Sequence, residues 1–94
     1  MEDKMREIQI KVKDDDLKGG YSNVMNVSHN KEEFFIDFLN ILPPTGVLTA
    51  RIIVSPGHLK RITKVLQRQL EIYEARFGEV KEAQEPPKTE IRSN

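Results

Sequence analysis

The chain contains no cysteine and no tryptophan. The absence of cysteine excludes disulfides, thiolate nucleophiles and cysteine-ligated zinc sites, so the fold has no covalent cross-link. The chain also lacks an excess of charge of either sign, because 15 Lys and Arg residues balance 15 Asp and Glu residues. No overall field therefore directs the protein to nucleic acid or to an anionic membrane, and any charge argument must be local.

Long hydrophobic runs are absent too. No apolar segment approaches the roughly 18 residues needed to span a bilayer, and the N-terminus, MEDKMREIQIKVKDDD, is too charged for a signal peptide. We therefore expect a cytoplasmic protein with no membrane contact. The 94 residues fit a single α+β domain over residues 1–80, followed by a polar, disordered tail over residues 81–94.

Four segments before residue 55 predict β-strands. In the first, Ile8, Ile10 and Val12 alternate with polar residues, which is typical of a strand with one buried face. The other three are predicted at residues 21–28, 34–42 and 47–54. The DDDLKGG segment after the first strand predicts a solvated turn, because its two glycines can take positive φ and its three carboxylates would repel each other in a packed element. It lacks the alternating ligands and the closing glutamate of a calcium loop.

The segment SPGHLKRITKVLQRQLEIYEARFG predicts one long helix with a signal at each end. Ser55 is a typical N-cap, Pro56 suits the first helical position, and Gly78 suits the residue after the last turn. The predicted fold is therefore an antiparallel four-stranded sheet followed by a long C-terminal helix, in the order β-β-β-β-α.

The third and fourth predicted strands carry apolar residues on both faces. In the third strand one face holds Phe34, Ile36 and Phe38, and the other holds Phe35, Leu39 and Ile41. In the fourth strand one face holds Leu48, Ala50, Ile52 and Val54, and the other holds Val47, Thr49, Arg51 and Ile53. Because one helix covers only one face of a sheet, the sequence predicts a homodimer with two-fold symmetry.

Six apolar residues of the helix fall within a stripe about 80° wide, at 100° per residue, which is predicted to pack against the sheet. The stripe comprises Leu59, Ile62, Leu66, Leu70, Tyr73 and Phe77. Val65 and Ile72 lie beyond its edge, and they either widen the contact with the sheet or form a second contact surface for a partner helix. The candidate dimer or partner surface comprises Phe35, Leu39, Ile53, Val65 and Ile72.

A basic ridge lies on the opposite side of the predicted helix. It comprises Lys60, Arg61, Lys64 and Arg68. Positive charge near a helix N-terminus opposes the macrodipole, and like charges four residues apart repel each other, so the ridge destabilises the helix. It is either a solvated face or a contact for an anion or a single-stranded nucleic acid.

Candidate catalytic and metal-binding residues are few. His29 and His58 are the only histidines, and no HxH or HxxxH spacing supports a metal site. With Asn23 and Ser28 they form the candidate polar cluster. Asp37 lies in an apolar strand and is expected to form a structural ion pair with Arg51 on the next strand. We expect no catalytic residue, no cofactor and no enzymatic activity.

The sequence resembles a small prokaryotic family called domain of unknown function 3467 over roughly residues 8–80. The resemblance rests on Asn23, Ser28, His29, Phe38, Pro43, Ser55, Pro56, His58, Tyr73, Phe77 and Gly78. It implies no established activity, but some members are encoded beside RNA polymerase subunits, which implies a role around transcription.

Three functional hypotheses remain from the sequence. The first is a homodimeric interaction module that binds itself and a protein of the transcription machinery. The second is a single-stranded nucleic-acid-binding protein that uses the basic helix face. The third is a small-ligand-binding or catalytic protein that uses the candidate polar cluster.

Overall fold

The structure is a computed structural model that describes residues 6–84. In chain order its elements are α1 (Asp14–Lys18), β1 (Val24–His29), β2 (Phe34–Leu42), β3 (Thr45–Val54) and α2 (Pro56–Phe77). The strands form one antiparallel sheet in the order β1-β2-β3. The predicted α+β class with a long C-terminal helix is confirmed. The predicted tail lies outside the described residues from residue 85 onward.

The first predicted strand, at residues 8–12, does not form. Its apolar side chains are exposed, at 77% for Ile8, 80% for Ile10 and 51% for Val12. A strand needs a neighbouring strand to pair its backbone N–H and C=O groups, and this segment pairs with neither outer edge of the sheet. The alternation of apolar and polar residues indicates an apolar face, but it does not indicate a neighbouring strand with which the segment could pair.

The predicted turn after that segment contains the short helix α1. Its three aspartates occupy the first helical turn, where carboxylates interact favourably with the macrodipole. The Asp16 carboxylate also accepts a hydrogen bond from the Lys13 backbone N–H at 3.2 Å. These contacts at the helix N-terminus offset the mutual repulsion on which the turn prediction rested.

The hairpin of β2 and β3 is formed largely as predicted. β2 has the predicted bounds, and β3 begins two residues earlier than predicted, at Thr45. Pro43 and Pro44 lie between the two strands, and the peptide bond that joins them is cis. Together with β1, these strands present two faces that we name after the residues at their centres, Ile36 and Asp37.

The Ile36 face holds the most buried side chains of the described chain. Ile36 is 6% exposed and Val54 is 9% exposed. On this face β2 contributes Phe34, Ile36 and Phe38, while β3 contributes Ala50, Ile52 and Val54. The Asp37 face is formed by Phe35, Asp37 and Leu39 from β2, with Leu48, Arg51 and Ile53 from β3.

A β-bulge in β3 corrects one predicted orientation. Phe38 pairs with Ala50 but Leu39 pairs with Leu48, so Thr49 is an extra residue without a counterpart on β2. The extra residue reverses the alternation, and Leu48 therefore lies on the Asp37 face rather than beside Ala50 and Val54. Strict period-2 counting from the sequence cannot detect such an insertion.

The segment that leads into β1 is held against the sheet at this bulge. The Thr49 hydroxyl donates to the Tyr21 carbonyl at 2.8 Å, and the Ser22 hydroxyl lies 3.1 Å from the Leu39 carbonyl. The Asn23 side chain donates to the Ile41 carbonyl and accepts from the Ile41 N–H, both at 2.8 Å. The side-chain amide of Asn23 thus makes the two hydrogen bonds to β2 that one more backbone peptide of β1 would make. It lengthens the pairing between β1 and β2 by one position.

Helix α2 begins and ends where the sequence predicts. Ser55 Oγ accepts a hydrogen bond from the His58 N–H at 3.2 Å, and Pro56 is the first helical residue. Gly78 follows the last turn at a φ of 99°, and its N–H donates to the Glu74 carbonyl at 2.9 Å. A positive φ of this size favours glycine, which explains why the helix stops there.

The expected packing of the helix stripe on the sheet is not observed for most of its length. Only the first two stripe residues, Leu59 and Ile62, are half-buried. The remaining four are exposed by 64% at Leu66, 44% at Leu70, 50% at Tyr73 and 64% at Phe77. Helical periodicity identifies the face that should be buried, but it does not identify the surface that buries it.

Two glycine substitutions test the contact at the bulge. A Cβ at Gly20 would overlap Thr49 Cγ2, whose position is fixed by the Thr49 hydrogen bond to Tyr21, whereas a Cβ at Gly57 meets no atom within 4 Å. We expect Gly20→Ala to lower the free energy of unfolding by about 1–3 kcal/mol. Gly57→Ala should leave it unchanged or raise it by up to about 1 kcal/mol, because alanine is the better helix former.

Urea unfolding of both variants at one protein concentration measures this difference. Equal effects of the two substitutions would show that Gly20 is not constrained by Thr49.

Candidate functional site

The exposed part of the α2 apolar stripe is the most conspicuous surface of the described chain. Its four uncovered residues, Leu66, Leu70, Tyr73 and Phe77, follow one another along the last three turns. The rings of Tyr73 and Phe77 lie 4.9 Å apart, and the Arg76 guanidinium lies 5.1 Å from the centre of the Phe77 ring. A continuous apolar surface of this kind in a folded protein is typical of a contact with another molecule.

Val65 and Ile72 are exposed as well, by 60% and 52%. They do not widen an internal contact, because the sheet of the same chain covers neither of them. With them the apolar surface of α2 extends over about 160° of the helix circumference, at 100° per residue. This apolar surface is wider than the part of the helix that the sheet covers, which is limited to Leu59 and Ile62.

The sheet part of the candidate partner surface comes together on one face. Phe35, Leu39 and Ile53 all lie on the Asp37 face, where Phe35 and Leu39 are half-buried and Ile53 is 51% exposed. The Ile36 face is also incompletely covered, since Met25 is 58% and Val27 is 44% exposed. Both faces of the sheet therefore retain exposed apolar surface.

The ion pair at the centre of the Asp37 face has the expected partner. Arg51 Nε donates to Asp37 Oδ1 at 2.7 Å, and Arg51 Nη2 donates to Asp37 Oδ2 at 2.9 Å. These hydrogen bonds from Arg51 lower the pKa of the Asp37 carboxyl, partial desolvation opposes the shift, and the charge of Arg51 adds to it. The two residues are direct cross-strand neighbours, so the pair also fixes the β2–β3 register.

The basic ridge is exposed along the first half of α2. The ion pairs found within residues 6–84 are Asp37–Arg51 and Asp15–Lys18, and neither involves the ridge. Arg61 Nη2 lies 3.1 Å from His58 Nδ1, and the Glu71 carboxylate accepts from Gln67 rather than from a ridge residue. A shallow depression beside the ridge is lined by Thr63, Lys64, Gln67, Arg68 and Glu71. All five belong to one helix, so the depression has no opposing wall.

The candidate polar cluster is not brought together around Asn23. Asn23 precedes β1, whereas Ser28 and His29 end that strand about 16 Å away at 3.3 Å per residue. Ser28 lies opposite Phe35 and His29 opposite Phe34, so their side chains lie on different faces of the sheet. The His29 ring packs at 5.0 Å from the Phe34 ring, and His58 lies in the first turn of α2.

The described residues contain no group of three or more His, Asp or Glu side chains placed to hold a metal ion. Within the same part of the chain, no helix is long and apolar enough to cross a membrane.

The pH dependence of stability tests the Asp37–Arg51 pair. Because the folded-state pKa of Asp37 is lowered, the pair stabilises the fold above the unfolded-state pKa of about 3.9, and this contribution is lost as the pH falls through the lower, folded-state pKa. Asp37→Asn should therefore reduce the free energy of unfolding at pH 7, and the difference from the wild type should shrink in strong acid.

The control is Asp15→Asn, since the Asp15 side chain is 93% exposed in its pair with Lys18 and should contribute little. Urea unfolding at several pH values provides the measurement. A difference between Asp37→Asn and the wild type that does not change with pH would contradict an ionised Asp37 in this role.

Comparison with known proteins identifies a family but no better-characterised relative. Neither the curated proteins nor the solved structures contain a match to the chain. The profile of the family described as "Protein of unknown function (DUF3467)" matches residues 1–82, which is most of the sequence and includes every helix and strand described above. The chain therefore belongs to the DUF3467 family.

Proposed function

We propose that this chain is a cytoplasmic, non-enzymatic interaction module that acts as a homodimer. The observation that carries the proposal is the small core of the single copy. Of the hydrophobic residues described, only Ile36 and Val54 are buried, while the apolar stripe of α2 and parts of both sheet faces are exposed.

The energetic argument is that a single copy buries too little apolar surface. Small domains depend on a well-buried apolar core to offset the chain entropy lost on folding. A core with two buried side chains, Ile36 and Val54, is small for a domain of this length. The exposed stripe residues, Leu66, Leu70, Tyr73 and Phe77, are the nearest source of further burial.

A second copy is the favoured partner for two reasons. The formal net charge of the chain is zero, so two copies approach without overall repulsion. In addition, every copy carries the same exposed apolar surfaces on its helix and its sheet. In a two-fold symmetric dimer the same surface of each copy is buried against the other, so one interface covers both. For a further partner we propose a transcription-related protein, on the family resemblance alone.

The non-enzymatic part of the proposal follows from the positions of the polar residues. Asn23 is engaged in backbone pairing with Ile41, and it lies at the opposite end of β1 from Ser28 and His29. These residues do not converge on a common point where a substrate could bind.

The homodimer is tested by sedimentation and by a matched pair of substitutions. We expect the wild type to sediment at twice the chain mass of 10.9 kDa. Leu70→Glu places a charge in the middle of the stripe and should raise the dimer dissociation constant by at least 100-fold. Ala75→Glu introduces the same side chain on the opposite side of α2 and should leave the dissociation constant within a few-fold of the wild type.

The midpoint of urea unfolding should also rise with protein concentration, because association and folding are coupled. A folded wild-type monomer with a concentration-independent midpoint would contradict the proposal.

Single-stranded nucleic-acid binding is the second candidate function. It is favoured by one specific observation, the absence of an ion pair between the basic ridge and any other residue within 6–84. Four exposed cations at one helix end would contact successive phosphates of a flexible strand. The candidate is weaker than the homodimer because the aromatic residues of α2, Tyr73 and Phe77, lie on the face opposite the ridge and offer no stacking surface beside it.

A fluorescent single-stranded oligonucleotide tests this candidate. Four phosphate contacts would give a slope of about −3 in a plot of log binding constant against log salt concentration. The triple substitution Lys60→Glu, Lys64→Glu and Arg68→Glu should abolish binding. The control has the same change in net charge at Lys11, Lys13 and Lys18, and it should bind nearly as the wild type does. No binding at low ionic strength, or equal losses in the two triple variants, would exclude the ridge as a nucleic-acid contact.

A further inference from the structure

We propose that residues 6–13, which we call the arm, pair as a β-strand with the outer edge of β1 in a second copy of the chain. The inference rests on the homodimer proposed above and adds a reciprocal exchange of arms to it. Three features carry it, which are the unpaired state of the arm, the composition of the two sheet edges, and the path of the chain between arm and sheet.

The arm has the residue pattern of a strand but no neighbouring strand. Ile8, Ile10 and Val12 alternate with polar residues, and all three apolar side chains are exposed. The arm is not helical, and the backbone of Lys13 at its end is extended, with φ −94° and ψ 152°. An extended segment with one apolar face gains backbone hydrogen bonds and burial when it adds to the edge of a sheet.

The outer edge of β1 is open to such an addition. β1 and β3 are the outer strands, so each has one edge without a strand neighbour within residues 6–84. Sheet edges in folded proteins are usually protected by charged residues, prolines or bulges. β1, with the sequence VMNVSH, contains no proline and no Lys, Arg, Asp or Glu. β3 carries both a bulge at Thr49 and the charge of Arg51.

The arm and β1 share the same alternation of apolar and polar side chains. On β1, Met25 and Val27 lie on the Ile36 face, where both are exposed, while Asn26 and Ser28 lie on the Asp37 face. An arm next to β1 therefore places its apolar residues beside Met25 and Val27 and its polar residues beside Asn26 and Ser28. Side chains on neighbouring strands stabilise a sheet when such like pairs meet.

The outer edge of β3 matches the arm less well. If the apolar residues of the arm lay beside Ile52 and Val54, its Lys11 would lie on the same face as Arg51, and like charges on neighbouring strands destabilise a sheet. If the arm were turned over, its polar residues would lie beside Ile52 and Val54 instead. Both arrangements on β3 include a mismatch that β1 avoids.

The path of the chain directs the arm away from its own β1 edge. The Tyr21 carbonyl accepts the hydrogen bond from Thr49 of β3, and a Cβ at Gly20 would overlap Thr49 Cγ2. The chain thus passes beside β3 before it crosses β2 and enters β1 at Val24. The open edge of β1 lies about 10 Å from β3 on the far side of β2, at about 4.8 Å between neighbouring strands.

A second copy related by a two-fold axis can receive the arm that its own sheet does not pair. Each copy then donates one arm and accepts one, so both β1 edges are covered by the same exchange. Each sheet gains a fourth strand that belongs to the other chain.

Cysteine crosslinking between different chains tests the exchange, and the cysteine-free wild type gives no background. Lys11 and Asn26 are exposed residues near the middle of the arm and of β1, and the exchange places them on the same face of the sheet. A short bismaleimide should therefore join Lys11→Cys to Asn26→Cys in a mixture of the two full-length variants. Because each chain carries one cysteine, the product reports contact between copies.

Ile53→Cys is the control for the choice of edge. It lies on the same face as Asn26 but on β3, three strand spacings or about 14 Å from an arm paired with β1. It should not crosslink with Lys11→Cys. A product with Ile53→Cys in place of Asn26→Cys would overturn the pairing with β1, and a dimer by sedimentation that gives neither product would overturn the exchange. In both cases the homodimer would stand, whereas a wild-type monomer would overturn it together with the exchange.

A matched pair of substitutions in the arm gives an independent measurement. Ile10→Asp and Gln9→Asp introduce the same charged side chain at adjacent residues, on the apolar and the polar side of the arm. Ile10→Asp should raise the dimer dissociation constant by at least about tenfold, because the exchange buries that position. Gln9→Asp should leave it within about threefold of the wild type. Equal dissociation constants for the two variants would overturn the exchange.

Discussion

The junction between β3 and α2 constrains the whole structure. Ser55 alone separates the strand from the helix, and its hydroxyl caps the first helical turn through the His58 N–H. The direction of α2 is therefore set at the edge of the sheet, and only Leu59 and Ile62 lie close enough to be covered. The remaining turns present an apolar surface that residues 6–84 do not cover, and the proposed dimer rests on that geometry.

A second constraint acts at the opposite end of the sheet. The bulge at Thr49 reverses the alternation of β3, and the same residue holds Tyr21 through its hydroxyl. Asn23 then pairs with Ile41 and aligns β1 with β2. The bulge and the Asp37–Arg51 pair together fix which apolar residues lie on each face of the sheet.

The features that were predicted correctly depend on neighbours in sequence or on direct cross-strand pairing. Ser55, Pro56 and Gly78 define α2 through local backbone chemistry, and a buried-strand carboxylate such as Asp37 requires a cation that the next strand supplies. The predictions that were wrong concern contacts between residues that are distant in sequence. The segment at residues 8–12 has the right period but no paired edge, and Leu48 changes face because of one inserted residue. The sequence of α2 likewise shows which face is apolar but not which molecule covers it.

The two proposed functions, dimerisation and nucleic-acid binding, are physically compatible, and the dimer geometry limits how they combine. The ridge lies opposite the stripe on α2, so pairing through the stripes leaves both ridges exposed on the outer sides of the helix pair. One short nucleic-acid strand then reaches one ridge at a time, which limits its contacts to the four cations of a single copy. Nucleic-acid binding would therefore leave the stripes free for dimerisation, because the two functions use different faces of the helix.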